Sequence, residues 1–267
     1  MARISLERSD DDRPTGRIAV VPAFNEEQTV AGVLDRLYDQ VDELVVVDDG
    51  STDGTRGAIA QWLPGHDRAR LLTFDINQGM SAAYYLAFTD IAQRVRAGEL
   101  SADALVCTLD ADGQHDPHAL DELTTVAIED GADAVLARRD LSGYPAYKKL
   151  GNWVLSRWAT RWAGAPLHDV ESGFRVFRAG ALTDALQYYR GYRYSETVEV
   201  AVILCRLGYN VRNDVVQSVP VIRSRTRMSD AVIDLVMIVV AARRASGRRV
   251  LAPRPAMVVP AAATIGD

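Results

Sequence analysis

The stretch RIAVVPAFNEEQTVAGVLDRLYDQVDELVVVDDGSTDGT, residues 17–55, decides the fold. It opens with an apolar run of strand length, Arg17–Val21. Val30, Val33, Leu34 and Leu37 then fall at i, i+3, i+4 and i+7, so they share one face of a helix. A second apolar run, Glu43–Val47, follows. Strand, one-sided helix and strand in succession describe a parallel β–α–β unit. Each strand runs into a polar cluster, Pro22–Glu27 after the first and Asp48–Thr55 after the second.

The same pattern continues downstream. Strands are expected at Arg70–Phe74, Ala104–Leu109 and Asp133–Ala137. Helices are expected at Ala58–Trp62, Met80–Val95 and Pro117–Glu129, the last with proline in its first turn. The third and fourth strands also end in polar clusters, Asn77–Ser81 and Asp110–Pro117. Ligands of open α/β sheets sit at the carboxyl ends of the strands. Four clusters at four equivalent positions therefore predict one site.

After Ala137 the pattern changes. A helix with three tryptophans is expected at Tyr147–Trp162, a strand at Phe174–Arg178 and a helix at Glu196–Leu207. A strand at Val211–Val216 precedes a long apolar helix from about Ser229 to Arg244. The fold class expected is α/β, a mainly parallel sheet flanked by helices, with a C-terminal amphipathic helix. The chain divides into a tail (1–16), a main domain (17–222), a basic and apolar helix (223–245) and a second tail (246–267).

Composition narrows the classes. The 267 residues are 48% hydrophobic and 25% charged, which excludes disorder as the main state. A net charge of −6 argues against a general nucleic-acid binder. Cys107 and Cys205 lie in apolar surroundings and read as buried thiols of a reducing compartment. The polar start MARISLERSDDDRP has no apolar core for a signal peptide. The longest apolar run, Ala231–Ala242 with Asp234 inside it, falls short of the ~20 residues of a bilayer span. A cytoplasmic location is expected. No GxxxxGK occurs and no GxGxxG follows the first strand, which excludes a Walker ATPase and a dinucleotide oxidoreductase.

Chemistry centres on Asp110-Ala111-Asp112-Gly113-Gln114. Two carboxylates at i and i+2 repel each other in a loop after a buried strand, and a divalent cation relieves that repulsion. Mg²⁺ or Mn²⁺ prefers oxygen ligands, and Gln114 can add a neutral carbonyl to Asp110 and Asp112. Asp49 can accept hydrogen bonds from a base or ribose, while Asp53 or Thr52 caps a helix. Pro22–Glu27 carries the same double reading, cap or ligand contact. Asn77–Ser81 opens a helix, whose N-terminus attracts phosphate. In Asp169–Arg175, a carboxylate and an arginine around Gly173 suit an acceptor site beside a phosphate.

VPAFNEE, VVVDDGSTDGT, DADGQHDP and DVESGFR resemble, in order and spacing, the motifs of family-2 glycosyltransferases with the GT-A fold. The likeness covers about residues 17–222 and is nearest to the dolichyl- and polyprenyl-phosphate mannosyl- and glucosyltransferases. It implies a nucleotide-sugar donor, a divalent metal and inversion at the anomeric carbon. Residue by residue, it implies nucleotide contacts from Pro22, Phe24 and Glu26, and base and ribose contacts from Val47 and Asp49. Asp110, Ala111 and Asp112 match the donor-diphosphate and metal motif, with Gln114 as a further ligand. Arg139 matches a donor-site arginine; Asp169, Ser172 and Arg175 match the acceptor-side motif; Glu199 matches an acidic position on the following helix. The subgroup's arginine followed by a Gly-Glu-Ser-Lys-like run is replaced here by Arg223–Asp230, which lacks the glycine and the lysine. Arg225 or Arg227 is the candidate for its phosphate contact.

The mechanism expected from charge gives Asp112, Asp169 and Arg175 the catalytic roles. The metal stabilises the leaving diphosphate, and Arg139 and Arg225 add fixed positive charge. A phosphate-monoester acceptor, ionised near neutrality, requires no base. A hydroxyl acceptor requires one, and Asp169 is the candidate. Arg223, Arg225, Arg227, Arg243, Arg244, Arg248 and Arg249 outweigh Asp230 and Asp234 around the apolar run. That segment reads either as an interfacial anchor or as a packed helix with a basic end. Trp153, Trp158 and Trp162, beside Lys148, Lys149, Arg157 and Arg161, carry the same two readings, membrane interface or core. The leading expectation is transfer of mannose or glucose from a GDP- or UDP-hexose to a polyprenyl phosphate, with peripheral contact at the cytosolic membrane face. A soluble hydroxyl acceptor, a non-catalytic nucleotide-sugar-binding subunit and a homo-oligomer stay open.

Overall fold

The computed structural model describes residues 16–114, 116, 119–192, 195–217 and 228–246. The two tails, apart from Gly16 and Ser246, lie outside these residues, as do Pro117, Arg223, Arg225 and Arg227. Seven strands form the main sheet in the order β3-β2-β1-β4-β7-β5-β8. In chain order they are β1 (Arg17–Ala23), β2 (Glu43–Asp49), β3 (Ala69–Phe74), β4 (Leu105–Thr108), β5 (Ala134–Leu136), β7 (Arg175–Arg178) and β8 (Val211–Arg212). A second, two-stranded sheet pairs β6 (Arg138–Arg139) with β9 (Val216–Gln217). The helices are α1 (Val30–Tyr38), α2 (Thr55–Trp62), α3 (Met80–Ala97), α4 (Leu120–Glu129), α5 (Ala146–Ala163), α6 (Ala179–Ala185), α7 (Glu196–Leu207) and α8 (Met228–Ala245).

Alternation along the strands builds two cores. Ile18 and Val20 of β1 and Val45 and Val47 of β2 face the layer of α3, α5, α6, α7 and α8. Ala19, Val21, Leu44 and Val46 face α1, α2 and α4. Both faces of the sheet are covered, so its strands read as unbroken apolar runs. The order changes direction at β1, whose neighbours are β2 and β4. The crevice at this switch point is where an open α/β sheet holds its ligand. In register, Pro22 lies beside Val47, Asp49 beside Phe74 and Val20 beside Thr108, so the loops after β1, β2, β3 and β4 emerge on one edge.

The mainly parallel expectation holds with one exception. β7 is inserted antiparallel between β4 and β5. That reversal returns the Asp169–Gly173 segment to the same edge. The single strand expected over Val211–Val216 is two short ones, β8 and β9. Asn213 interrupts it, because its side chain is drawn into a buried set of hydrogen bonds. α6 and β6 went unforeseen: neither the seven-residue AGALTDA nor Arg138-Arg139 is long enough to show a period. Cys107 is buried and Cys205 half-buried, both as free thiols. No helix of the described residues is long and apolar enough to cross a membrane.

Candidate active site

The loops after β1 and β2 are stitched to each other. The Asn25 N–H donates to Ser51 Oγ at 3.1 Å, and the Thr52 N–H donates back to Asn25 Oδ1 at 2.9 Å. The Glu26 N–H reaches Thr55 Oγ1 at 2.7 Å, and the Gly54 N–H reaches Glu27 Oε2 at 2.8 Å. Asn25 holds a left-handed backbone, φ 57°, which asparagine tolerates better than most residues. Glu26 also accepts from Thr29 Oγ1 at 3.2 Å, just before α1. The N-cap of α2 is Gly54 and neither Asp53 nor Thr52 caps the helix; Asp53, one residue before Gly54, accepts the Thr55 N–H at 2.9 Å.

Asp49 is 3% exposed, and both its oxygens face the loop that opens α3. Oδ1 accepts the Gln78 N–H at 2.7 Å, while Oδ2 accepts the Gly79 N–H and Asn77 Nδ2, each at 2.9 Å. Burial pushes the Asp49 carboxyl above its ordinary value, the Gln78 and Gly79 amides pull it back, and Asp48 pushes it further. Asp49 thus holds the loop that opens α3. Gly50 beside it is obligatory: at φ +66° a Cβ would lie 2.3 Å from the Ile76 carbonyl carbon. Val47, Pro22 and Ala111 are buried, and Phe24 and Glu26 are half-buried. Among these five, Phe24 and Glu26 keep part of their surface at the edge where Asp49 lies.

After β4, Asp110 and Asp112 are both partly exposed. Asp110 rests against the segment before β7, so close that a Cβ at Gly173 would sit 2.7 Å from Asp110 Oδ2. Asp112 turns onto Gln114, accepting its N–H at 3.0 Å and its amide nitrogen at 2.5 Å. The Gln114 amide therefore supplies the positive end of a dipole at the carboxylate where a cation would supply charge. Two carboxylates and an amide on one short loop form an all-oxygen donor set, which fits Mg²⁺ or Mn²⁺ and not a thiophilic metal. Among the described residues no three His, Cys, Asp or Glu side chains converge as a ready-made cage. Such a site relies on ligand oxygens to complete the shell.

Asp169, which is 1% exposed, is met by Arg139, the arginine that the resemblance assigned to the donor side, while Arg175 lies elsewhere, beside Glu196. Asp169 accepts from the Arg139 N–H at 2.9 Å, from Arg139 Nε at 2.8 Å and from its Nη2 at 2.9 Å. Burial alone would lower the Arg139 pKa, but Asp169 and then Glu171 hold it above the ordinary arginine value. Asn213, which sequence reasoning placed inside a strand, holds this corner. Its Oδ1 accepts the N–H groups of His168 and Asp169 at 2.6 and 2.9 Å, and its Nδ2 donates to the Leu136 carbonyl at 2.8 Å. Arg138, Arg139, Lys149 and His168, with Asp140 and Asp169, line a cavity of about 300 Å³ there.

Beneath the loops lies a buried polar layer. Arg175, 3% exposed, donates from Nε to the Ser172 carbonyl at 2.6 Å and pairs with Glu196 at 3.6 Å. Glu196, 1% exposed, accepts from Ser81 Oγ at 3.3 Å. Burial pushes the Glu196 carboxyl up, Arg175 holds it down and Asp110 raises it again. Sequence reasoning selected Glu199 on this helix and passed over Glu196. Glu199 instead accepts the N–H groups of Arg190 and Gly191 at 2.8 and 2.9 Å and pairs with Arg244 of α8 at 3.6 Å. The three tryptophans divide between the two readings. Trp162 packs on the core, while Trp153 is 62% and Trp158 39% exposed. Trp158 Nε1 donates to the Leu235 carbonyl of α8 at 3.1 Å.

Comparison with known proteins accounts for this arrangement. An undecaprenyl-phosphate mannosyltransferase of Micrococcus luteus is 32% identical over 73% of this chain and 79% of its own length. A polyprenol monophosphomannose synthase of Mycolicibacterium smegmatis is 31% identical over 64% of each chain. A crystal structure of glucosyl-3-phosphoglycerate synthase from Mycobacterium tuberculosis superposes with a TM-score of 0.60 at 19% identity, over 86% of this chain and 80% of that one. That likeness is one of fold, the GT-A fold. The glycosyl transferase family 2 model matches residues 18–186, and the chain belongs to that family of glycosyltransferases.

Proposed function

We propose that this glycosyltransferase moves a hexose, mannose or glucose, from a GDP- or UDP-hexose to a polyprenyl phosphate, with inversion, from a peripheral position on a membrane. The observation that carries the acceptor is a pair of cavities that share Trp153. One is the cationic cavity beside Asp169. The other is a groove of about 1150 Å³ between α5 and α8, walled by Trp158, Leu235, Val236, Val239 and Val240 and edged by Arg157, Arg161 and Arg243. A cationic end and an apolar run match an anionic head on a hydrocarbon tail. Tyr147, Leu150, Val154, Val232 and Val236 extend the exposed apolar surface of the same two helices. Aromatic and basic side chains around such a surface suit the membrane interface. Of the relatives named above, one is by its name an undecaprenyl-phosphate mannosyltransferase and another a polyprenol monophosphomannose synthase.

The donor belongs at the crevice between the loops after β1, β2 and β4. Asp110, Asp112 and Gln114 would hold the divalent ion, which when bound supplies Lewis-acid stabilisation to the leaving diphosphate. Structural neighbours with Mn²⁺ and UDP-glucose or GDP-mannose bound share this fold. Phe24, Glu26 and Asp49 orient the nucleoside. Arg139 adds fixed positive charge, oriented by Asp169. Asp169 therefore serves as an anchor and not as a base. A phosphate monoester, with a second pKa of about 6, arrives ionised and requires none.

The test is transfer of radiolabelled hexose from GDP-mannose or UDP-glucose, with Mn²⁺, to polyprenyl phosphate in vesicles. Product that partitions into organic solvent is expected. Label appearing only on soluble saccharides would overturn the acceptor, and no metal-stimulated transfer from either donor would overturn the donor chemistry.

A further inference from the structure

Between β8 and β9 the chain leaves the sheet at Asn213, and the Asn213 side chain fills the break. It is 4% exposed, and its one amide makes four hydrogen bonds. Oδ1 accepts the His168 and Asp169 N–H groups at 2.6 and 2.9 Å. Nδ2 donates to the Leu136 carbonyl at 2.8 Å and to the Asp169 carbonyl at 3.3 Å. Two N–H donors on one side and two carbonyls on the other fix which end of the amide is which. All four partners are main-chain groups, so the side chain stands in for a peptide unit and ties the end of β5 to the segment that carries Asp169. Before the break β8 pairs with β5, and after it β9 pairs with β6. The Arg138 N–H donates to the Val215 carbonyl at 2.7 Å, while Asp169 holds both the backbone and the guanidinium of Arg139. Arg138, Arg139, His168 and Asp169 line the smaller cavity; Asn213 stands behind its wall.

We propose that Asn213 is a positioning residue: it sets the Asp169 backbone, Asp169 in turn sets the Arg139 fork, and the cationic wall is thereby held in register for the acceptor's phosphate. A guanidinium fork recognises a phosphate by geometry as well as charge, so a small displacement of its anchor weakens that recognition while the charge remains. Asn213 itself touches no substrate. Its effect passes through Asp169 and belongs to the acceptor side alone. This inference rests on the reading of that cavity as the seat of the acceptor phosphate.

The experiment is steady-state transfer from GDP-mannose or UDP-glucose, with Mn²⁺, to polyprenyl phosphate in phosphatidylcholine vesicles, by the wild type, Asn213→Ser, Asp169→Asn and the double variant. Serine is too short to bridge the two segments, and it leaves room for water to satisfy the groups it abandons. Asn213→Ser should raise the acceptor KM about tenfold, more than kcat falls, with the donor KM within about twofold of the wild type. A merely structural Asn213 would instead lower kcat through loss of folded enzyme and leave both KM values alone, which overturns the proposal. The double variant should have an acceptor KM within about twofold of the worse single variant, because both substitutions break one chain of contacts; multiplied effects overturn it. If Asn213→Ser does not fold, amide hydrogen exchange of the wild type decides. Vesicles carrying polyprenyl phosphate should slow the His168, Asp169 and Arg139 amides together, relative to vesicles without it. Slowing of Arg139 alone, or of none, overturns the proposal. A wild type that transfers nothing to polyprenyl phosphate overturns the acceptor reading itself, and this inference with it.

Discussion

Asp49 and Asp169 are both buried carboxylates at the strand ends, yet they are satisfied by opposite means. Asp49 is surrounded by neutral amides of the loop that opens α3. Asp169 is met by the charged fork of Arg139. The first arrangement fixes backbone and leaves a net negative charge at the strand ends. The second cancels charge and turns an arginine into part of a cavity wall. The loops around Asp49 are thus built as a stiff cage, and the corner around Asp169 as a charge-paired one next to exposed apolar helices.

Breaking the charge-paired corner should have the largest effect. Asp169→Ala leaves a mostly buried guanidinium without its main partner, an error that typically costs about 3 kcal/mol or more. Denaturant titration should show that loss. With Asp169→Asn, the acceptor KM should rise more than kcat falls, because the residue orients and does not abstract a proton. A collapse of kcat alone would restore Asp169 as a base. In the loop cage, Gly50→Ala combines a left-handed backbone with a near-contact to Ile76 and should cost about 2 kcal/mol by the same titration.

Asp49→Asn is expected to cost about 1 to 2 kcal/mol, since one acceptor is replaced by a donor facing N–H groups. Its pH signature sharpens the contrast. The Asp49 pKa is raised in the folded state, so its contribution is complete below the ordinary value of 3.8 and is lost as pH rises through the raised one. The asparagine variant should lack that slope. The smallest effect on stability, under about 0.5 kcal/mol, belongs to Trp153→Ser, because the side chain is largely exposed. Sedimentation with anionic vesicles should nevertheless fall several-fold, and unchanged sedimentation would remove Trp153 from the membrane surface.

The amino-acid sequence makes an element legible where its strand or helix period is long enough to repeat. Val30, Val33, Leu34 and Leu37 are all buried as their spacing requires, and α7 has the bounds read from its pattern. The candidate site is legible where polar residues follow an apolar run, as with Asp49, Asp110 and Asp112. It is illegible where a polar residue works from inside an apolar element. Glu196 heads an almost wholly buried helix and reads as an ordinary acidic first turn. Asn213 sits in a run that reads as strand, and its role depends on a loop 44 residues away in sequence. Only tertiary contact distinguishes either from a solvated side chain.

The bond from the Trp158 indole to the Leu235 carbonyl crosses between the two helices that wall the apolar groove. It works as a clasp: the walls cannot spread without breaking it.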